Sequence, residues 1–235
     1  MLGKTHLAGG LAAFTALAIT TGPLTKEEAA VEFVCCMLGS VLPDIDHKQS
    51  KISRSDIVVG AASEIICTFT KHRGITHTPI GCVLLALIGY FTARAAVPYA
   101  NANAAFMAAI IIFTLVHCDT RKKKLNKFGG ILAISTFFYY PHIAEAVTGL
   151  PNIAINSGYE VMVGISILVG ALSHLLLDML NPEGCMLLYP CKKRIHLARI
   201  RTGTKSEIVV TALCVLASAF VLWTMKYQTF TFITQ

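Results

Sequence analysis

Residues 165–180, ISILVGALSHLLLDML, form an almost uniformly apolar run that carries two reactive polar side chains near its end. Apolar runs of this kind, extended to about 20 residues, are typical of membrane-spanning helices. His174 and Asp178 are spaced i, i+4, so on a helix they project from one face about a turn apart. This spacing suits two ligands of one metal ion, or a ligand and its orienting partner. An interhelical hydrogen-bonded pair is the alternative.

The composition of the whole chain predicts a membrane protein. The 235 residues are 54% hydrophobic and only 14% charged, against about 25% charged in ordinary soluble domains. We therefore predict one all-α domain over residues 1–235, a polytopic membrane helix bundle. Apolar stretches of helical length occur at seven places, namely 7–23, 27–42, 79–97, 103–118, 130–149, 160–180 and 207–225.

The count of seven spans depends on how two segments are interpreted. Residues 57–70 are apolar but short and contain Glu64, so they predict an interfacial or re-entrant helix. The apolar N-terminal run lacks a strongly basic start and a small-residue cleavage site, so we expect a retained first span and no cleaved signal peptide. Six or eight spans are the alternatives. The eight cysteines include no C-x-x-C motif and are interpreted as reduced thiols.

The distribution of basic residues predicts the orientation. With seven spans, seventeen of the twenty Lys and Arg residues lie on the face that holds the N-terminus, and only Lys26, Arg94 and Lys226 lie on the other. The positive-inside rule makes the basic face cytoplasmic. The N-terminus is therefore predicted to be cytoplasmic.

Four polar patches lie at the ends of the predicted spans, at residues 5–6, 43–47, 72–77 and 173–178. In the seven-span topology all four fall on the cytoplasmic face, which predicts one composite polar site. Histidines and carboxylates without cysteine are ligands typical of a hydrolytic zinc, manganese or similar divalent site. Such residues are costly to bury in an apolar chain and therefore indicate function.

The second and third patches have distinctive local patterns. Pro43 predicts that the helix before it ends in an extended or turning segment, in which Asp44 and Asp46 would point the same way. A solvated helix-end turn is the alternative for these two carboxylates. In residues 72–77, HRGITH, the glycine permits a tight loop that brings both histidines to one centre. Thr76 is expected to donate to a ligand or to cap the next helix.

The basic loops do not predict a nucleic-acid-binding protein. The net charge is +7, but no aromatic residues are interleaved with the run of bases at 121–124, and no binding fold accompanies it. Topology control and attraction to anionic lipid headgroups explain the charge. We expect membrane lipids as partners and no nucleic acid, and the oligomeric state is left open.

The polar patches resemble those of a known family. Residues 39–47 (GSVLPDIDH), 72–77 (HRGITH) and 173–178 (SHLLLD) are similar to blocks of the YdjM-type family of inner-membrane, metal-dependent hydrolases. That family is distantly similar to zinc-dependent phospholipase C. Thr5-His6, residues 187–190 (LLYP) and residues 201–203 with Glu207 fit the same pattern, whereas residues 121–127 and 185–191 do not. The resemblance covers essentially the whole chain and implies a divalent metal and a location in a bacterial-type inner membrane.

These observations together predict a membrane-bound, metal-dependent hydrolase of phosphoester or lipid-type substrates, similar to phospholipase C, at the cytoplasmic leaflet. One or two divalent ions are expected. Zinc is the expected metal, with manganese or another divalent ion as the alternative. The expected ligands are His6, Asp44, His77, His174 and Asp178.

Four other residues are given roles in the reaction and in substrate binding. Asp46 or His72 would accept the proton, and Arg73, with Arg201, would bind the substrate and neutralise developing charge on a phosphoryl oxygen. Two other classes of protein remain open. The ligand set would also serve a divalent metal-ion carrier or sensor without catalysis, and a structural membrane protein would use these side chains only to join helices.

Overall fold

The computed structural model of the chain describes residues 1–22, 26–47, 50, 53, 57–69, 74–96, 158–189, 191 and 193–233. These residues are mostly helical, contain no strand beyond one isolated bridge, and confirm the all-α prediction. The α-helices are α1 (Gly3–Thr21), α2 (Lys26–Gly39), α3 (Ile57–Phe69), α4 (Pro79–Ala96), α5 (Tyr159–Met179) and α6 (Lys205–Ile233). Short 3₁₀ helices follow α2, at Leu42–Asp46, and precede α4, at Ile75–His77.

Helix α5 is the centre of the arrangement, because α1, α2 and α4 all pack against it. An apolar core between α2, α4 and α5 contains Val31, Cys35, Val163 and Ile167. Helix α6 packs on α1 and has a largely exposed apolar surface, whereas α3 contacts the 3₁₀ helix Leu42–Asp46. The contact between α6 and α1 involves the helix that carries the polar patch at 5–6, and the contact of α3 involves the patch at 43–47.

Two glycines allow α2 and α5 to approach closely. A Cβ atom added at Gly39 would overlap the backbone carbonyl of Ile167, and one added at Gly170 would overlap that of Cys36. Small residues at such crossings are common where membrane helices pack. The close approach also brings the backbone of Ser40 beside the buried His174, as the hydrogen bond between them shows.

We expect Gly170→Ala to destabilise the protein by about 1–3 kcal/mol, because the new methyl group must push two backbones apart. The measurement is thermal unfolding of the purified protein. Gly3→Ala is the matched control, since a Cβ at Gly3 has no atom within 4 Å. Equal unfolding temperatures for the two variants would contradict the proposed role of Gly170 at this crossing.

The described residues support part of the predicted membrane topology. Two segments, Tyr159–Met179 in α5 and Lys205–Met225 in α6, are long and apolar enough to cross a membrane. Helix α2 has 14 residues and is shorter than the roughly 17 needed to span, because the chain turns after Gly39 into the 3₁₀ helix. The prediction of one continuous helical span over 27–42 was therefore wrong, because the helix ends at Gly39.

The remaining topological expectations stay predictions. The predicted spans at 103–118 and 130–149 lie outside the described residues. The count of seven spans is not supported, because two clear membrane-capable helices are found in the part of the chain that the structure describes. The cytoplasmic orientation of the N-terminus is likewise a prediction. Helix α3 has 13 residues, which fits the expected short helix, and its interfacial position is a prediction as well.

Candidate metal centre

The five side chains predicted as metal ligands meet at one place. His6 lies at the end of the first turn of α1, and Asp44 in the 3₁₀ helix after α2. His77 ends the 3₁₀ helix before α4, while His174 and Asp178 lie one turn apart near the end of α5. All are buried except Asp44, whose side chain is 25% exposed. Four separate parts of the chain thus supply one cluster.

The ligand atoms converge closely. The two Nε2 atoms of His77 and His174 are 3.2 Å apart. Asp44 Oδ1 lies 3.5 Å from His77 Nε2 and 3.7 Å from His174 Nε2. Asp178 Oδ2 lies 3.7 and 3.8 Å from the same two nitrogens, and Asp178 Oδ1 lies 3.5 Å from His6 Nε2. The His6 ring stacks on that of His174 at 3.8 Å.

These separations fit a bound metal ion. Ligands at about 2.0–2.1 Å from a tetrahedral zinc ion are about 3.4 Å from one another, close to the distances observed here. Two overlapping groups have ligand atoms that all lie within 4.8 Å of each other, His6 with Asp44 and His174, and His77 with His174 and Asp178. Imidazole nitrogens and carboxylate oxygens also suit manganese and other divalent ions.

Hydrogen bonds on the far side of two histidine rings set their tautomers. His174 Nδ1 lies 2.8 Å from the Ser40 carbonyl, which can only accept, so Nδ1 carries the proton. His77 Nδ1 lies 3.2 Å from Asp46 Oδ2, and Thr76 Oγ1 donates to the same carboxylate oxygen. Partners of this kind leave the Nε2 lone pair free for a metal and fix the ring orientation. The two rings are therefore oriented as a metal site requires.

The 3₁₀ helix explains why Asp44 and Asp46 face different atoms. Pro43 lies at its start. With three residues per turn, residues two apart in a 3₁₀ helix are related by a rotation of about 240° about the helix axis, so their side chains point in different directions. Asp44 accordingly approaches His77 Nε2, and Asp46 approaches His77 Nδ1. The expectation that both carboxylates point the same way was wrong, because it assumed an extended segment.

The charges of the cluster favour a cation. Burial alone would raise the pKa of Asp44, but its hydrogen bond with His77 and the nearby His174 and His6 hold that pKa well below its usual range. Burial lowers the pKa of His77, yet hydrogen bonds to Asp44 and Asp46 outweigh it and raise this pKa to about 9. The Asp44 carboxylate therefore stays ionised, and it stabilises the positive charge of His77, whose Nε2 proton a bound metal ion would replace.

A second polar network holds the start of α1 in place, and sequence reasoning gave it no role. Glu207, buried in the first turn of α6, accepts hydrogen bonds from the Leu2 amide at 2.6 Å, the Thr5 hydroxyl at 2.9 Å and the Gly203 amide at 2.6 Å. The Met1 amino group lies 3.0 Å from Asp178 Oδ1. The sequence signal for this network was Glu207 itself, an acidic residue in the first turn of an otherwise apolar helix. The network anchors the turn that carries His6.

The other predicted site residues are placed differently. Asp46 is buried behind His77, and Thr76 donates to Asp46, which is not one of the five candidate ligands. His72 and Arg73 lie outside the described residues. Arg201 is exposed just before α6, and within the described residues no hydrogen bond or ion pair joins its side chain to the cluster. Its role in substrate binding stays a prediction.

Two comparisons with known proteins gave matches that cover nearly the whole chain. The model of a family described as "YdjM inner membrane protein" matches residues 1–233. "Uncharacterized protein YvsG" of Bacillus subtilis (strain 168) is 26% identical over 223 residues, which are 94% of this chain and 93% of the relative. No solved structure matches the chain significantly.

Proposed function

The chain belongs to the YdjM inner membrane protein family, and we propose that it is a membrane-bound, metal-dependent hydrolase of phosphoester or lipid-type substrates at the cytoplasmic leaflet. One observation carries the proposal. Three histidines and two carboxylates converge at separations of 3.2–3.8 Å among their ligand atoms. A buried cluster of this composition fits a hydrolytic metal site better than a set of interhelical hydrogen bonds.

The ligand residues would hold one or two divalent ions. Zinc is the first candidate for the metal. When bound, such an ion acts as a Lewis acid and lowers the pKa of water towards neutrality. Asp44 is the ligand with an exposed edge, 25% of its side chain, so water and substrate would reach the cluster beside it. The other four candidate ligands are buried.

Further residues would assist the reaction. Arg73 follows His72 in the third polar patch, and its guanidinium would neutralise charge that develops on a phosphoryl oxygen. Arg201 would add a second positive charge, and His72 would accept the proton from water. Asp46 was predicted as an alternative proton acceptor. Its contacts with Thr76 and His77 Nδ1 also suit a residue that orients His77.

A metal-ion carrier or sensor would use the same ligands without turnover. Transporters usually place their ion sites near the bilayer midplane, on interrupted helices. Here the candidate ligands lie at or beside helix ends, in the first turn of α1, in the 3₁₀ helices next to α2 and α4, and in the last turns of α5. A position near one membrane surface favours chemistry at that surface over passage.

Turnover by the metal-loaded protein tests the proposal. The purified protein, stripped with a chelator and reloaded with zinc or manganese, is expected to hydrolyse phosphoesters from a panel of phosphomonoesters, phosphodiesters, phospholipids and carboxyl esters. Activity should disappear on chelation and return with the metal, because the ion activates the water. Protein that binds metal stoichiometrically and hydrolyses nothing in the panel would instead be a carrier or sensor.

A further inference from the structure

The described residues after α5, 181–189, 191 and 193–203, form a hooked loop that is tied to the candidate metal centre. Cys185 and Ile195 exchange two backbone hydrogen bonds of 3.0 and 2.9 Å. The Leu197 amide donates to the Met179 carbonyl at 2.7 Å, and the Ile200 amide donates to the Leu180 carbonyl at 2.8 Å. Met179 and Leu180 directly follow the ligand Asp178. The loop is therefore fixed beside the cluster.

The outer surface of the hooked loop combines apolar and basic side chains. Leu188 is 69% exposed, Leu197 is 65% exposed and Tyr189 is 45% exposed. Four exposed bases lie among them, namely Lys193, Arg194, Arg199 and Arg201. Large apolar side chains interleaved with bases are typical of protein surfaces that enter the headgroup region of a membrane.

The charges of this surface are almost all of one sign. Glu183 is the one exposed acidic residue among the described residues of the loop. None of the four bases forms a salt bridge with an acidic side chain in the part of the chain that the structure describes. Positive charge that is not neutralised within the protein is complementary to anionic lipid headgroups, each base contributing to the attraction. A free phosphate ion would not explain the exposed leucines.

We propose that the hooked loop binds anionic phospholipid headgroups and holds such a lipid beside Asp178. The exposed apolar side chains contact the acyl region, and the bases contact the phosphate. The inference rests on the proposed function for one step only: if the cluster hydrolyses phosphoesters, an anionic phospholipid is its substrate class. Binding by the loop is independent of turnover.

The test uses the full chain in nanodiscs and a tryptophan placed on the loop. Trp223 is the only tryptophan of the chain, so Leu188→Trp in a Trp223→Phe background gives a single reporter. Fluorescence quenching is compared between brominated phosphatidylglycerol and brominated phosphatidylcholine, each diluted equally into unlabelled phosphatidylcholine. We expect the anionic lipid to quench more strongly at equal mole fraction.

Charge variants separate the loop from the rest of the surface. Arg194→Gln combined with Arg199→Gln should reduce the preference for the anionic lipid by roughly fivefold for each base, thus about 25-fold. Arg94→Gln is the matched control, because Arg94 is exposed near the opposite end of α4 from His77. That variant should keep the preference. Unchanged metal content confirms that the loop variants are folded.

Three results would overturn the proposal: equal quenching by both lipids, a preference that survives the double substitution, or a preference abolished by inorganic phosphate, which would indicate a site for a free anion. The proposed function can fail separately. Selective quenching without phosphoester turnover leaves the loop as a lipid-binding element of a non-catalytic protein. Turnover of soluble phosphoesters without selective quenching leaves the hydrolase and removes the loop from lipid recognition.

Discussion

Replacing His174 with alanine is expected to remove metal binding. Its Nε2 lies within 3.8 Å of a ligand atom from each of His77, Asp44 and Asp178, and its ring stacks on His6. Loss of a partner outside the coordination shell already costs about 10–100-fold in metal affinity. Loss of the central ligand should cost more, so the variant should be purified without metal. Metal analysis of the detergent-purified protein measures this.

A matched control comes from another histidine. His196 is exposed in the hooked loop, so His196→Ala removes an imidazole without touching the cluster and should keep the metal. Since an alanine at position 174 also leaves a cavity, Asp178→Asn serves as a second variant that nearly preserves volume. Full metal stoichiometry in His174→Ala would remove His174 from the ligand set.

The five residues of the His/Asp cluster were predictable because their signals are local. The i, i+4 spacing of His174 and Asp178 indicates a shared helix face whatever surrounds the helix. His6, Asp44 and His77 lie at the ends of apolar runs, and chain topology brings such ends together. The structure brings all five side chains into one cluster that could hold a metal ion. Convergence of separate patches was thus a useful guide.

The surroundings of the ligands were less predictable, because they depend on backbone detail. The Ser40 carbonyl that fixes the His174 tautomer has no side-chain signal, since every residue carries a carbonyl group. The 3₁₀ conformation at Leu42–Asp46 sends Asp46 to a different nitrogen from Asp44, and Pro43 predicts only that the helix ends. Glu207 binds the start of α1, more than 200 residues away in sequence.

The number of spans was difficult to predict for a related reason. Hydropathy measures how apolar a stretch is, and it does not show where a helix stops. The apolar segment at 27–42 contains a helix that ends at Gly39, followed by the turn that supplies Asp44. In its hydropathy, a turn built from apolar residues and proline therefore looks like the last residues of a membrane span. The charge asymmetry depends partly on loops outside the described residues.

Asp46→Asn is expected to lower metal affinity by about 10–100-fold, the range for losing the carboxylate that orients a metal-bound histidine. Asp46 is 2% exposed and contacts His77 Nδ1 at 3.2 Å. Asparagine has nearly the same shape but no charge, so its amide holds the imidazole less firmly and makes Nε2 a weaker ligand. Titration of the stripped protein with zinc gives the affinity.

The same variant decides between the two roles of Asp46. Glu64→Gln neutralises an exposed carboxylate on neighbouring α3 and should leave metal affinity unchanged, which controls for the loss of negative charge nearby. If Asp46 orients His77, turnover at low metal should fall with the affinity, and saturating metal should restore most of it. A metal affinity like that of the native protein, with turnover about 10²-fold lower even at saturating metal, would instead identify Asp46 as the proton acceptor. Because Asp46 meets the nitrogen that faces away from the cluster, we expect the first result.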